Sequence, residues 1–322
     1  MSQELPFEPF PFLNDPHQQT FFNSFFNFLF EPPSDQKLVS LPDGDKISLQ
    51  ITTPRDWTPD KLTVVLVHGL CGSHKSPNLV RMARRLEPLG VRSVRFNMRG
   101  CGSGRGLSKQ IYHGGRSEDL FEAIKALKTE HPDSPIALIG FSLGGNIVLK
   151  MAGELGSLCT PFLNKVIAVS PPVDLFSSTQ MLGDPLNGIY EKYFYRLLRA
   201  DVHYRHKRFR DLPPIRLPRN LKLYEFDQIY TAPTCGFKDA QDYYSKCSSA
   251  GMVGEIALPC KILLAEDDPI VSSAALDHYR LPSNVTVFKT KRGGHMGYLG
   301  DPRGEKGVYW LDSLLVDWIL ES

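Results

Sequence analysis

Several signals are missing from this chain, and each absence narrows what it can be. None of its six cysteines (Cys71, Cys101, Cys159, Cys235, Cys247 and Cys260) falls in a CxxC pair or at metal-ligand spacing, so a disulfide scaffold and a structural zinc site are not expected. They read as reduced thiols in a cytoplasmic protein. No window reaches the ~18–20 apolar residues of a membrane span, and the acidic, proline-rich first residues do not read as a signal peptide. Charge is nearly balanced, with 37 Lys and Arg against 35 Asp and Glu, a net +2, so nucleic acid is not an expected partner. Neither a Rossmann fingerprint nor a P-loop occurs, and no cofactor or metal is expected. There is no internal repeat and no low-complexity segment. What remains is an ordinary globular composition in 322 residues, enough for one large core with an insertion.

The informative stretch is 136–152, IALIGFSLGGNIVLKMA. An apolar, β-rich run, Ile136–Ile139, stops at Gly140. Ser142 follows, with Gly144 two residues beyond it. Then the apolar period turns helical through Ile147, Val148, Met151 and Ala152. A GxSxG between a strand and a helix is a nucleophile elbow. The serine is held exposed at the carboxyl edge of a sheet, with the N–H of Leu143 facing the oxygen that becomes charged.

Either side of the elbow the same alternation repeats. Residues 37–53 read as a hairpin turning at Pro42-Asp43-Gly44-Asp45. Leu62–Val67 is a continuous apolar strand of the kind buried on both faces. A helix with Leu79, Met82, Leu86 and Leu89 on one face follows, then a strand over Val91–Phe96. A helix over 117–130 has Ser117 as its expected N-cap. Strands are expected at Val166–Val169, Ile262–Leu264 and Val285–Phe288, and a last helix at Val308–Leu320. Strands alternating with helices predict an α/β fold with a mostly parallel central sheet and helices on both faces. Alternation lapses in 173–257, which reads as an inserted cap. The expected division is therefore a core of 37–172 and 258–322, a cap of 173–257, and an N-terminal extension of 1–36. That extension is extended over 1–16 and carries an aromatic helix over 17–30. The helix either packs on the body of the protein, or is an amphipathic surface that touches lipid or roofs an acyl pocket.

A serine hydroxyl needs a base, and the base needs an orienting acid. Strand-end loops supply both in the order Ser, Asp, His that an α/β-hydrolase fold requires. His295, in Lys291-Arg292-Gly293-Gly294-His295, is the candidate base. In Ala265-Glu266-Asp267-Asp268 the favoured acid is Asp268, with Asp267 and Asp174 as alternatives. Leu70, after His68-Gly69, is the candidate second oxyanion donor beside Leu143, and His68 reads as a brace for that loop. The glycine-rich 100–106 reads as a shaped loop rather than a phosphate nest. The basic stretch 199–219, with Arg205, Lys207, Arg208 and Arg210, reads as a solvated face or as a patch for anionic lipid headgroups.

Further stretches carry a resemblance. Asn14-Asp15-Pro16-His17-Gln18-Gln19-Thr20 resembles an N-P-H-x-Q-T segment. Arg99-Gly100-Cys101 followed by Tyr112-His113-Gly114-Gly115 resembles an RGC…YH loop. Glu225-Phe226-Asp227, Thr231-Ala232-Pro233, Gly236-Phe237 and Asp242-Tyr243-Tyr244 resemble a cap signature. Together they resemble the YheT-like group of α/β-hydrolases, bacterial relatives of eukaryotic lipases, from about residue 7 to the final helix. The resemblance implies a carboxylic ester hydrolase, an esterase or lipase acting on acylglycerols or phospholipids, with Ser142, Asp268 and His295 as its triad. The substrate class is then a small-molecule acyl ester or lipid, and peripheral membrane contact is compatible with it. No oligomeric state is implied. Eukaryotic relatives carry an N-terminal membrane anchor that is not read here. An H-x4-D acyltransferase motif is absent at His295 and is matched only by His206 and Asp211 in the basic stretch. Relatives of this fold with an aspartate nucleophile, the dehalogenases and epoxide hydrolases, are disfavoured by the serine. A thioesterase or amidase using the same triad, and a non-catalytic lipid- or partner-binding scaffold, are the alternatives.

Overall fold

The computed structural model describes residues 2–25 and 30–321. In chain order the elements are β1 (Gln3–Glu4), α1 (Pro16–Phe25), β2 (Asp35–Ser40), β3 (Lys46–Thr52), β4 (Thr63–Val67), α2 (Pro77–Leu86), β5 (Arg92–Asn97), α3 (Ser117–Glu130), β6 (Ile136–Phe141), α4 (Leu143–Leu155), β7 (Lys165–Val169), α5 (Leu175–Leu182), α6 (Gly188–Arg208), α7 (Leu223–Phe226), α8 (Ala232–Thr234), α9 (Ala240–Cys247), β8 (Cys260–Ala265), β9 (Val285–Thr290) and α10 (Trp310–Leu320).

The strands form one sheet in the order β1-β9-β8-β7-β6-β4-β5-β3-β2. It is parallel from β1 to β5, and β3 runs antiparallel to both β5 and β2. Alternate residues of β4 enter opposite layers. Val65 and Val67 join the core built on α3 and α4, whereas Val64 and Leu66 join the one built on α2 and α10. Burial on both faces is why this strand is apolar at consecutive positions. Chain order reverses across β5, β4 and β6, so the loops after β4 and β6 diverge and leave a crevice at the carboxyl edge.

Between β7 and β8 the chain adds no strand. Residues 173–257 instead supply α5 to α9. The turn at 42–45 has Gly44 at φ +88°, as its sequence suggests. Three local expectations change. Leu89 lies beyond α2 and is half-exposed, because Pro88 cannot continue the helix and the chain tightens into a 3₁₀ turn over Glu87–Leu89. Ser117 is the first residue of α3 rather than its cap, and its hydroxyl is drawn to the Glu154 carboxylate. The proline-rich start includes a two-residue strand, β1, alongside β9. Of the aromatic helix expected over 17–30, residues 26–29 lie outside the described residues.

Candidate active site

The elbow is held by backbone crowding. A Cβ on Gly140 would stand 2.3 Å from the carbonyl oxygen of Gly144, and one on Gly144 would stand 2.5 Å from those of Val67 and His68. Only glycine lets β6, β4 and α4 approach so closely. Between these glycines Ser142 adopts φ +51°, ψ −124°, a conformation costly to a side chain and kept by the surrounding structure.

The structure brings Ser142, His295 and Asp268 together. His295 Nε2 lies 2.9 Å from Ser142 Oγ, and His295 Nδ1 lies 2.9 Å from Asp268 Oδ2. A carboxylate only accepts, so the imidazole proton sits on Nδ1 and the serine hydroxyl donates to Nε2. The other Asp268 oxygen accepts the N–H groups of Ile270 at 2.8 Å and Val271 at 3.0 Å, which fixes the carboxylate. The two alternative acids are used elsewhere. Asp267 accepts the Gly294 N–H at 2.9 Å, and its carboxyl is raised by burial. Asp174 caps α5 through the Ser177 N–H.

Leu143 opens α4, so its N–H has no intrahelical acceptor. Leu70 lies in the loop after β4, and no acceptor engages its N–H among the described residues. A Cβ built on the adjacent Gly69 would meet Ser142 Cβ at 3.0 Å, so the loop carrying Leu70 lies against the serine. His68 is fully buried. Its Nδ1 donates to Gly69 O at 2.8 Å and its Nε2 accepts the Met98 N–H at 3.2 Å. Burial pulls its pKa down to about 4, so it is a neutral brace.

Several stretches singled out in the sequence are tied into the scaffold around this site. Tyr112 accepts the Cys71 N–H at 3.0 Å beside Leu70. Arg99 is buried and grips Asp119 at 2.6 and 2.7 Å and Asp45 at 2.9 Å, with Asp43 also bound. The 100–106 loop is tied down as well. Ser103 Oγ meets Ser48 at 2.7 Å and accepts from Gln50 at 3.0 Å and Asn97 at 3.2 Å.

Sequence reading missed two groups of supporting residues. Asn146, on α4, bridges Gly114 O, Cys247 O and the Ser249 N–H, fastening the elbow helix to the return from 173–257. The N-terminal segment braces the histidine. Residues 293–298 hold Gly293, Gly294, Met296 and Tyr298 at positive φ, a run that needs external support. Thr20 Oγ1 accepts the His295 N–H at 2.8 Å. Gln19, fully buried, donates to Leu299 O at 3.1 Å and accepts the Leu299 N–H at 2.8 Å. The N-P-H-x-Q-T resemblance at Asn14–Thr20 had singled out this segment without giving Gln19 and Thr20 a role. His17, two residues earlier, stacks on Tyr190 of α6.

Two cavities share Ser142, His295 and Leu70. An inner chamber is walled by Leu175, Phe194, Leu198, Phe226 and Tyr243. A wider outer cleft runs between α1 and the start of α6. In the basic stretch, Arg205 is buried rather than solvated, and its guanidinium donates to the Tyr230 hydroxyl at 2.6 Å. His206 also meets that hydroxyl at 3.1 Å, while Asp211 pairs with Lys109, so this H-x4-D spacing does not assemble.

The sequence model of a family described as "alpha/beta hydrolase fold" matches residues 63–302. YheT of Escherichia coli (strain K12), whose name marks it as a candidate esterase, is 30% identical over 87% of this chain and 83% of its own. Phospholipase ABHD3 of Homo sapiens is 27% identical over 91% of this chain and 72% of its own. The esterase Pf2001 of Pyrococcus furiosus superposes with a TM-score of 0.58 over 98% of both chains at 17% identity, a likeness of fold.

Proposed function

The chain belongs to the α/β-hydrolase fold family, among the carboxylic ester hydrolases, and from that premise we propose that it cleaves its esters through an acyl-enzyme on Ser142. The reading rests on the unbroken hydrogen-bonded line Ser142–His295–Asp268 at the junction of the two cavities. His295 takes the hydroxyl proton as Ser142 Oγ attacks the acyl carbon, and Asp268 holds the imidazole and stabilises its cation. The N–H groups of Leu143 and Leu70 bind the oxyanion; one such donor is worth about 10²–10³ in turnover. His295 then gives its proton to the leaving alkoxide. Water deprotonated by the same imidazole releases the acid and restores Ser142.

Residues 173–257 act as the cap, and the chamber beneath them takes the acyl chain. The alcohol part leaves through the outer cleft. Phe21, Leu186, Ile189 and Tyr193 stand exposed along that cleft beside Lys192 and Arg196, a mixture suited to peripheral contact with anionic lipid. No helix among the described residues is long and apolar enough to cross a membrane. Six free thiols favour a cytoplasmic location. The test is hydrolysis of p-nitrophenyl esters of graded chain length. Wild type turns them over and Ser142→Ala loses about 10⁶ in kcat; turnover surviving the substitution overturns the assignment.

A further inference from the structure

The inner chamber is not uniformly apolar. Two carboxyls line it, Asp201 from α6 and Asp227 from the π-helical turn that follows α7. Their surroundings differ. Asp227 Oδ1 accepts the Thr231 hydroxyl at 2.5 Å and Oδ2 accepts the Tyr244 hydroxyl at 2.8 Å, so both oxygens are occupied. Asp201 has neither a hydrogen-bond donor nor an ion-pair partner among the described residues, and only the through-space charge of Arg105 and Arg205 favours its ionised form. Both guanidinium groups are committed elsewhere. Arg105 stacks on Tyr204 at 3.9 Å, and Arg205 donates to Tyr230 and to the Lys109 carbonyl.

Asp201 is half-buried in the chamber wall, and burial already disfavours its charged form. A carboxyl that lines a mostly apolar chamber without a protein donor leaves its oxygens open to a donor on a ligand. That donor is not a cation, because Arg105 and Arg205 would repel it and the apolar walls would strip its hydration. A neutral hydroxyl meets both conditions. Resting on the ester-hydrolase reading above, we propose that Asp201 is a specificity residue that binds a hydroxyl on the distal part of the acyl chain. The preferred substrates are then esters of hydroxylated acyl chains. Asp201 takes no part in bond making; it selects which chain fills the chamber.

The test compares p-nitrophenyl esters of one chain length, plain or hydroxylated at successive carbons of the distal half, with wild type, Asp201→Asn and Asp201→Leu. Wild type should favour at least one hydroxylated ester by about tenfold in kcat/KM, the worth of one buried hydrogen bond. That ratio should collapse toward one in Asp201→Leu and be partly kept in Asp201→Asn. A second arm reads binding without chemistry, as hydroxylated and plain fatty acids displace a fluorescent fatty acid from wild type and from Asp201→Asn. If neither ester series is hydrolysed but hydroxylated acids still bind about tenfold tighter, the catalytic reading fails and the Asp201 assignment stands. Wild type that prefers the plain chains in both arms, as when ordered water fills the place, overturns the proposal.

Discussion

The two cavities that meet at Ser142 are built from different parts of the chain and differ in kind. The inner chamber is walled largely by residues 173–257 and is mostly apolar, with Ser178, Thr179, Asp201, Asp227 and Thr231 as polar points in its lining. The wider outer cleft is lined by α1 and the first turns of α6 and mixes Phe21 and Ile189 with His17, Lys192 and Arg196. Neither is made mainly by the sheet. The sheet edge supplies reactive groups, and the two additions to it decide what reaches them. They differ in one further respect. The outer addition also grips the loop that carries His295, through Thr20 and Gln19, whereas the inner one touches the elbow helix through Asn146. The inner region should therefore govern substrate choice, and the outer one should govern turnover as well.

The largest expected effect belongs to the part that both regions share. Asp268→Asn should lower kcat by about 10⁴ for every ester, because the imidazole loses the acceptor that fixes its tautomer; stopped assays across chain lengths read this directly. An equal loss in Asp267→Asn would shift the acid to the neighbouring residue. Next comes the inner region alone. Leu198→Trp, filling the chamber, should cut kcat/KM for long acyl chains by about 10–100-fold while short ones change little. A uniform drop across chain lengths would erase the distinction between the cavities.

The outer region follows. Thr20→Val leaves the buried His295 N–H without its acceptor and should reduce kcat about tenfold with little change in KM, while Thr20→Ser restores it. A change in KM alone would mean that α1 binds substrate without positioning the histidine. The smallest effect is on stability. Burial raises the Asp227 carboxyl from 3.8 to about 6. The folded state therefore holds this proton at pH values where the unfolded chain has released it. Stability contributed by Asp227 is fully present below pH 3.8 and is lost as pH rises toward 6, by about 1–3 kcal/mol. Asp227→Asn should flatten that slope in urea melts taken between pH 4 and 7. Parallel slopes for the two proteins would remove Asp227 from the chamber's acid balance.

The same division explains what was legible in the sequence. The sheet could be read because β4 and β6 are buried on both faces and therefore continuously apolar, and because the elbow needs glycine at 140 and 144. The Ser-Asp-His order then placed Asp268 and His295 on strand-end loops. The helices of 173–257 were not legible. In α6 only Glu191, Tyr195, Val202 and Arg205 are buried among 21 residues, and Phe194 and Leu198 are only partly buried where they line the chamber. A helix lining a hollow lacks the apolar stripe that packing imposes. The segment Asn14–Thr20 stood out by resemblance, but its role as a brace escaped notice for a related reason. Gln19 and Thr20 look like surface residues until their hydrogen bonds to 295 and 299 are seen, across some 275 residues of chain.

Reaction with a fluorophosphonate probe tests the central claim, that Ser142 is activated by His295, without any choice of substrate. Intact-mass and peptide mapping should show one adduct, on Ser142, that is absent in Ser142→Ala and forms at least about 10³ times more slowly in His295→Ala. A folded wild-type chain that gains no adduct at Ser142, or one whose labelling rate ignores the loss of His295, contradicts the account.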